Sequence, residues 1–394
     1  MKPRHHLHHR TCAGLALGAL LLAAGAHAAA PCVPVGRWAR PTDGAPEALD
    51  SGPWLTELAQ SGIVLLGERH DSAEQHRWQL QTLAALAAQQ PRMTIGLEMV
   101  PRRLQSVLDR WVAGELGEAQ FLDAVEWDTI WGFDPALYLP ILHFARMNRI
   151  PLLALNVDRA LVSRVSESGW DAIPEEAREG IGDPEPASTA YLAFLRGKHA
   201  RHNRADDERA DETRFERFVQ SQLLWDRAMA ERIAEVAQRD DAPLLVVLSG
   251  SGHLVYGYGI PHQLAALGAP RARVLLPYSA EPCSELVPGY ADAVFGLDPV
   301  AERDAPAPAT LGVLLAAEDG GVRIERVFDN SVADAAALRP GDIVRELAGR
   351  EVHSVADVVA SVRRQPPGTW LPIVVERRGK TRLVLAKFPP EPEP

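Results

Sequence analysis

The sequence lacks an apolar run long enough to cross a membrane. The apolar stretch near its start, Leu15 to Ala24, is much shorter than the roughly 20 residues that a spanning helix needs. Cysteine is scarce, with three residues among 394, and no internal repeat of solenoid length occurs. What remains is an ordinary globular composition, 46% apolar and 24% charged, in a chain long enough for a large core and a second domain.

The apolar stretch near the start fits a secretory signal peptide over residues 1–28. Lys2, Arg4 and Arg10 precede it, and Ala26-His27-Ala28 follows it as a cleavage motif of small residues. Cys32 lacks the small-residue context of a lipid-attached cysteine, so no clear lipobox is present. We therefore expect a soluble exported protein, periplasmic or secreted.

Basic residues are also fewer than acidic residues. Removal of residues 1–28 would leave 38 Lys and Arg residues against 52 Asp and Glu residues. Such an acidic balance argues against nucleic acid or an anionic membrane surface as the partner.

Two cysteines, Cys32 and Cys283, remain in the processed chain. In an oxidising compartment they could form a disulfide that ties the N-terminal region to the region after the last predicted strand. They could equally be two unrelated thiols, and spacing alone leaves both possibilities open.

A short motif recurs after two apolar runs. Ile63 to Leu66 leads into Gly67, Glu68 and His70, and Leu244 to Leu248 leads into Gly250 and His253. Apolar runs of this length, bounded by glycine, are typical of strands buried on both faces of a parallel sheet. Ligands of open α/β sheets bind beyond the carboxyl ends of the strands, which is where these side chains would lie.

The strand and helix signals alternate over about 250 residues. A strand at Met93 to Leu97 ends at Glu98, another at Leu152 to Leu155 ends at Asn156, and Arg273 to Leu276 is the last that we predict. Residues 160–239 read as helical and strongly charged. The pattern predicts an α/β fold, a mainly parallel sheet with helices on both faces and a helical insertion.

The strand ends predict a polar pocket formed by Glu68, His70, Glu98 and His253. Two imidazoles and two carboxylates suit a divalent metal such as zinc, iron or manganese. Without a metal, a carboxylate can orient an imidazole that transfers a proton, as in a hydrolase. Alternatively, these polar side chains could have only a structural role and form hydrogen bonds to the loop backbone. Four titratable groups in one cleft favour the functional interpretation.

The end of the chain predicts a second domain. Residues 297–307 are rich in proline and alanine and read as a linker, so the domains are 29–296 and 308–390. Short strands at Leu311 to Leu315, Val322 to Val327 and Ile343 to Leu347, with one helix that Ser354 caps, suit a compact barrel.

Residues 54–290 resemble the ChaN-like haem-binding family. The resemblance rests on four motifs, Leu-Gly-Glu-Arg-His-Asp at 66–71, Gly-Leu-Glu-Met at 96–99, Ile-Pro-Leu-Leu-Ala-Leu-Asn at 150–156 and Gly-Ser-Gly-His-Leu-Val-Tyr-Gly-Tyr-Gly-Ile-Pro at 250–261. It implies haem as the cofactor. Haem iron needs an axial ligand, for which His70, His253, Tyr256 and Tyr258 are candidates, and Arg102 could anchor a propionate or be an ordinary surface arginine. More remotely, the family resembles Tiki-type proteases and erythromycin esterases.

Residues 308–388 resemble a bacterial PDZ domain. Leu311, Gly312, Val313 and Leu314 correspond to its carboxylate-binding loop and strand. The resemblance implies binding of a protein C-terminal peptide by strand addition. The domain could instead pack against the first domain and gate it, or support a homodimer.

The sequence thus leads to three hypotheses. The first is an exported carrier of haem or iron, bound in a cleft at the strand carboxyl ends, with a PDZ module for a peptide or protein partner. The second is a metal-assisted peptidase or esterase that uses His70 or His253 as the general base and Glu68 and Glu98 to orient it or hold the ion. The third is a non-catalytic envelope scaffold.

Overall fold

The computed structural model describes residues 32–202, 208–279, 283–298, 309–318 and 320–390. Within these ranges, no helix combines the length and apolar character needed to cross a membrane. The predicted signal peptide, residues 1–28, and most of the predicted linker, residues 297–307, lie outside the described residues.

The first domain is built on an eight-stranded sheet. Its strands are β1 (Trp38–Arg40), β2 (Glu47–Leu49), β3 (Ile63–Glu68), β4 (Met93–Pro101), β5 (Leu152–Asn156), β6 (Leu244–Gly250), β7 (Arg273–Tyr278) and β8 (Ala293–Gly296). Their spatial order is β2-β1-β8-β7-β3-β6-β4-β5. All pairings are parallel except those of β1, which is antiparallel to β2 and β8. The prediction of a mainly parallel α/β sheet is confirmed.

Helices cover both faces of this sheet. They are α1 (Ser51–Ala59), α2 (Ala73–Gln89), α3 (Gln105–Ala113), α4 (Glu118–Ala124), α5 (Trp127–Ile130), α6 (Leu139–Asn148), α7 (Arg159–Ser168), α8 (Thr189–His202), α9 (Glu208–Ala237) and α10 (Ile260–Ala266). Alternate residues of β3 pack into two hydrophobic cores, one on each face of the sheet. Val64 and Leu66 pack with α1, α2, α3 and α6, whereas Ile63 and Leu65 pack with α9 and α10. Burial on both faces explains why β3 is a continuous apolar run.

Several local predictions were wrong. Residues 38–49, for which the sequence predicted no strand, contain β1 and β2, and β8 follows Arg273 to Leu276, the last strand predicted for this domain. Strand β4 continues to Pro101, beyond Glu98, where the strand was predicted to end. Helix α2 begins after Ser72, whose hydroxyl accepts from the Gln75 N–H.

A disulfide joins Cys32 to Cys283 across 251 positions of sequence. It connects the segment before β1 to a short 3-10 turn, Cys283–Glu285, that precedes β8. Of the two possibilities that the sequence left open, the structure has the bonded pair.

The second domain is a smaller antiparallel sheet with two helices. Its elements are β9 (Val313–Glu318), β10 (Gly321–Val327), α11 (Val332–Ala335), β11 (Ile343–Leu347), β12 (Arg350–Glu351), α12 (Val355–Arg363), β13 (Trp370–Arg377) and β14 (Lys380–Lys387). The strand order is β14-β13-β11-β10-β9, with β12 on β11. A separate core, which includes Val322, Val344, Val358 and Ile373, holds it together.

Two details of the second domain differ from prediction. Leu311 precedes β9 and is 4% exposed, so it packs in the core instead of opening the strand. On α12, Val358 and Val362 are buried, whereas Val359 is 37% exposed. Ser354 caps α12 as predicted, accepting from the Asp357 N–H.

Candidate functional site

The parallel strands bring the four predicted polar residues to one edge of the sheet. Glu68 ends β3 and faces Gly250 at the end of β6, and Glu98 lies where β4 leaves its pairing with β6. His70 follows β3, and His253 ends the 3-10 turn Ser251–His253 after β6. We refer to this group, Glu68, His70, Glu98 and His253, as the polar crevice.

Glu68 lies at the centre of a buried hydrogen-bond network. Its Oε1 is 2.8 Å from His70 Nδ1 and accepts from the Tyr138 hydroxyl at 2.5 Å. Its Oε2 is 3.3 Å from His76 Nε2. Burial disfavours the charged carboxylate, but the hydrogen bonds from His70 and Tyr138 and the nearby His76 imidazole outweigh this and lower the pKa of Glu68 to about 2. Glu68 is therefore an anion at any physiological pH.

His70 is the most accessible group of the polar crevice, with 28% of its side chain exposed. Trp131 and Phe133 pack against the imidazole with ring centroids 4.6 and 5.2 Å away. Burial opposes protonation, but the contact with Glu68 and the charge of Glu98 outweigh it and raise the pKa of His70. The ring is thus oriented by a carboxylate at Nδ1 and walled by two aromatic side chains.

His253 has a second carboxylate partner of its own. Its Nδ1 is 2.6 Å from Asp226 Oδ1, and the Tyr191 hydroxyl donates to Asp226 Oδ2 at 2.8 Å. His253 Nε2 lies 3.6 Å from Glu98 Oε1. Burial works against the imidazolium, but Asp226 and Glu98 prevail and raise the pKa of His253 to about 9. His253 is therefore protonated at neutral pH.

Sequence reasoning missed Asp226, Tyr138 and Tyr191. Asp226 lies on α9, in a charged stretch where one more acid carries no local signal, although it is fully buried. The tyrosines lie just before α6 and on α8. Each completes a tyrosine–carboxylate–histidine chain, one ending at His70 and the other at His253.

Gly250 lies where the two imidazoles come closest. A Cβ added to it would be 3.0 Å from His70 Cε1, 3.1 Å from His70 Nε2 and 3.7 Å from His253 Cδ2. The Gly250 N–H donates to Glu98 Oε2 at 2.6 Å. A glycine here leaves open the space between the rings and lets the backbone approach them closely.

This arrangement suits proton transfer better than metal binding. Both Nδ1 atoms contact carboxylates, which is the arrangement that orients an imidazole for acid–base work. Across the described part of the chain, no cluster of three or more His, Cys, Asp or Glu side chains has a geometry that could hold a metal ion. The predicted divalent metal at Glu68, His70, Glu98 and His253 is therefore unsupported.

The two candidate tyrosines pack among other aromatic side chains. Tyr258 packs against Tyr191 and Phe194 of α8, with ring centroids 5.6 and 5.9 Å away. Tyr256 has a left-handed backbone, with φ of 58°, and its ring packs against Tyr258 and Tyr290. Its pKa is raised, first by burial and then by the nearby Tyr258 and Glu285.

Tyr256 lines a cavity of about 540 Å³ beside the first residues of β7. Trp54 and Tyr290 add aromatic surface to its walls. The charged side chains of the lining are Arg40, Arg271, Arg273 and Asp292. Arg271 and Arg273 contact Asp292, at 2.8 and 3.3 Å. Arg40 and Arg273 also contact Glu47 and Glu57, at 2.9 and 2.6 Å, so each of the three arginines already has a carboxylate partner.

Arg102, the candidate propionate anchor, contacts helix α9. Its guanidinium donates to the Ala228 carbonyl of α9 and lies 3.9 Å from Glu231. Burial lowers the pKa of Arg102 despite the nearby acids Glu235 and Glu231. These contacts hold the turn after β4 against α9, so a propionate would have to compete with them.

The predicted peptide-binding segment begins at a tight turn. Gly312 has φ of 75°, and a Cβ on it would lie 2.3 Å from Ser331 Cβ, so only glycine fits. Val313 opens β9, and Leu314 is 46% exposed. Strand β9 is an edge strand of the sheet and α12 lies beside it. An edge strand beside a helix is the arrangement that accepts an added peptide strand.

An α/β domain with histidines at its strand ends, joined to a small antiparallel β domain, defines a two-domain ligand-binding protein. The family comparison gives the particular assignment. The chain belongs to the ChaN haem-binding family, since the model described as "Haem-binding uptake, Tiki superfamily, ChaN" matches residues 54–264, over half of the chain. A PDZ domain model matches residues 309–387. Both resemblances inferred from the motifs are confirmed.

One solved structure agrees with the fold of the first domain, and two others are similar over about a fifth of the chain. A structure described as cofacial haem binding to ChaN of Campylobacter jejuni is 19% identical, with a TM-score of 0.53, and covers 66% of this chain and 95% of its own. The HtrA-type protease AlgW with a decapeptide is 25% identical over 22% of this chain and 30% of its own, with a TM-score of 0.20. A serine endoprotease from Yersinia pestis is 22% identical over 20% of this chain and 28% of its own, with a TM-score of 0.19. A comparison with curated proteins returned no match.

Proposed function

We propose that this protein binds haem in the cavity beside Tyr256, with the Tyr256 hydroxyl as the axial ligand. The observation that carries the proposal is the cavity itself, about 540 Å³, which lies within the range of about 300–1,000 Å³ usual for cofactor sites. Tyrosine is an established axial ligand of haem iron. Haem would supply an iron centre and two carboxylates, which would exchange with Glu47, Glu57 or Asp292 as partners of the lining arginines.

The charge state of the imidazoles favours Tyr256 over the other sequence candidates. An axial histidine must offer an unprotonated nitrogen, yet Asp226 and Glu98 raise the pKa of His253 to about 9, and Nδ1 of His70 already contacts Glu68 at 2.8 Å. Tyr258 packs among the aromatic rings of α8 instead of lining the cavity. Our proposal therefore moves the haem from the cleft at the strand carboxyl ends to the side of the domain that carries Tyr256.

Titration of the full chain with haemin, followed by the Soret band, tests this proposal. We expect Tyr256→Phe to shift the Soret maximum and weaken binding at least about tenfold, because the substitution removes only the ligand oxygen. Tyr258→Phe is the matched control and should bind as the wild type does. If His70→Ala abolishes the Soret change and Tyr256→Phe does not, the haem lies at the strand ends instead.

A hydrolytic function is the second candidate, favoured by the two carboxylate-bound imidazoles that meet at Gly250. General acid–base groups of this kind contribute about 10²–10⁴-fold to a rate. Hydrolysis of p-nitrophenyl acetate should fall at least about tenfold in Gly250→Ala, whose methyl group enters the space between the rings. Gly252→Ala is the control, since a Cβ there meets nothing within 4 Å. Equal rates in the two variants would argue against this candidate.

We further propose export and a peptide partner. The Cys32–Cys283 disulfide supports an oxidising compartment outside the cytosol, in agreement with the signal-peptide pattern of residues 1–28. The edge position of β9 beside α12 supports capture of an extended protein C-terminus by the PDZ domain. A pull-down with the full chain, compared with Gly312→Val, tests the second point: Gly312→Val should lose the captured peptide.

A further inference from the structure

The PDZ domain contacts the first domain next to the polar crevice. Arg364, the residue that follows α12, places Nη1 2.7 and 2.6 Å from the two carboxylate oxygens of Asp128 on α5. Helices α12 and α5 also pack against each other. The contact therefore joins the helix of the predicted peptide groove to a four-residue helix of the haem-family domain.

The other side of α5 reaches His70. Trp127 of α5 packs against Tyr138 with ring centroids 5.4 Å apart, and Tyr138 donates to Glu68. Trp131, the residue after α5, packs edge-on against the His70 ring at 4.6 Å. Any shift of α5 therefore moves an aromatic wall of the polar crevice.

Helix α12 takes part in two contacts at once. It lies beside β9, where Leu314 of β9 is 46% exposed and Val359 of α12 is 37% exposed. The end of α12 contacts α5. A short helix shared by a groove and an interface transmits a displacement from one to the other, because packed elements move as units.

We propose that the PDZ domain braces the Trp131 wall of the polar crevice and thereby controls access to His70. The Arg364–Asp128 pair keeps α5 in place, and its loss lets Trp131 leave the imidazole. This inference stands apart from the site of haem binding, because it concerns only access to His70.

The contact is weak enough to open reversibly. The side chains of Arg364 and Asp128 are 35% and 43% exposed, so water and salt screen their attraction. Interfaces between domains of one chain generally permit relative motion unless they are large and apolar. A small polar contact therefore suits a brace that is released and restored.

The rate at which diethyl pyrocarbonate modifies His70, measured by mass spectrometry on the full chain, tests the brace. We expect Arg364→Glu and Asp128→Arg each to raise this rate by about fivefold, which corresponds to about 1 kcal/mol, the upper range for an exposed ion pair. The reciprocal double variant, Asp128→Arg with Arg364→Asp, should return the rate towards that of the wild type. This rescue distinguishes the pair from general damage to the fold.

Two controls keep the test specific. Arg363→Glu makes the same change of charge one residue earlier on α12, and it should leave the His70 rate unchanged. His143, whose side chain is 38% exposed and faces Glu118, reports within each sample on general opening of the domain. Unchanged His70 rates in Arg364→Glu and Asp128→Arg, or equal rises at His70 and His143, would overturn the proposal. Neither result would bear on haemin binding at Tyr256.

Discussion

Each histidine of the polar crevice has a carboxylate partner at its Nδ1 atom, and the two carboxylates belong to different elements. Glu68 belongs to the same strand exit as His70, whereas Asp226 reaches His253 from α9. Because both carboxylates are buried, the imidazoles cannot lose their protons without leaving a buried anion unpaired, which is costly. The two carboxylates thus raise the pKa of both imidazoles, that of His253 to about 9.

The pKa of His253 makes stability depend on alkaline pH. Because its pKa of about 9 lies above the ordinary 6.5, the folded state holds the proton more tightly than the unfolded state does. The stabilisation is complete below pH 6.5 and is lost as the pH rises through 9. We expect the free energy of unfolding to fall by about 3 kcal/mol over this range from this group.

Urea unfolding at several pH values between 6 and 10 measures this effect. Asp226→Asn should be less stable at pH 6 and should show a flatter pH dependence, because the attraction that raises the pKa of His253 is removed. An unchanged slope in Asp226→Asn would show that this ion pair does not set the proton affinity.

At the scale of elements, α9 and α10 meet at an unusually close approach. A Cβ on Gly259, just before α10, would lie 2.5 Å from the His253 carbonyl oxygen and 2.6 Å from Asp226 Oδ1. We expect Gly259→Ala to destabilise the protein by about 1–3 kcal/mol, because the methyl group overpacks this junction. Thermal unfolding measures the loss. Gly268→Ala would be strained by its positive φ, so Gly252→Ala is the suitable control.

The elements that the sequence predicted are those with a strong local pattern. Strands β3, β4 and β6 are apolar runs buried on both faces, and polar residues at their ends converge because parallel strands end at one edge. Strands β1, β2 and β8 have only three or four residues, too few for a period-2 pattern. Their pairing depends on contacts between distant parts of the chain.

The same contrast applies to the candidate sites. His70 and His253 could be found because each follows a buried strand. Asp226 and the Tyr256 cavity could not be found in this way. Asp226 reaches His253 only because α9 packs beside β6 in the folded protein. The cavity walls come from α1, α10 and the segments before β7 and β8, and no local motif links these segments.

At the scale of the whole molecule, the disulfide encloses the first domain and leaves the second outside. Crosslinking residues 251 positions apart restricts the unfolded chain and stabilises the folded domain by about 5 kcal/mol in the chain-entropy account. Reduction should therefore lower the melting temperature of the first domain by about 10 °C or more and leave that of the PDZ domain unchanged. Calorimetry with and without a phosphine reductant measures both transitions.

A Cys32→Ala/Cys283→Ala variant provides the control for this experiment. It should melt at the lower temperature with or without the reductant, because it has no bond to break. Should the reductant lower the PDZ transition to the same extent, the two domains unfold together, and the disulfide acts on the whole chain.

The pairing of β1 with β8 has a consequence for how the molecule is made. During translation the ribosome releases β1 and β3 early, but their partners β8, β6 and β7 emerge only after α9 has been synthesised. The central strand β3 therefore stays unpaired until β6 and β7, which end at Gly250 and Tyr278, have emerged. Chaperones that shield apolar segments would have their longest task in this interval.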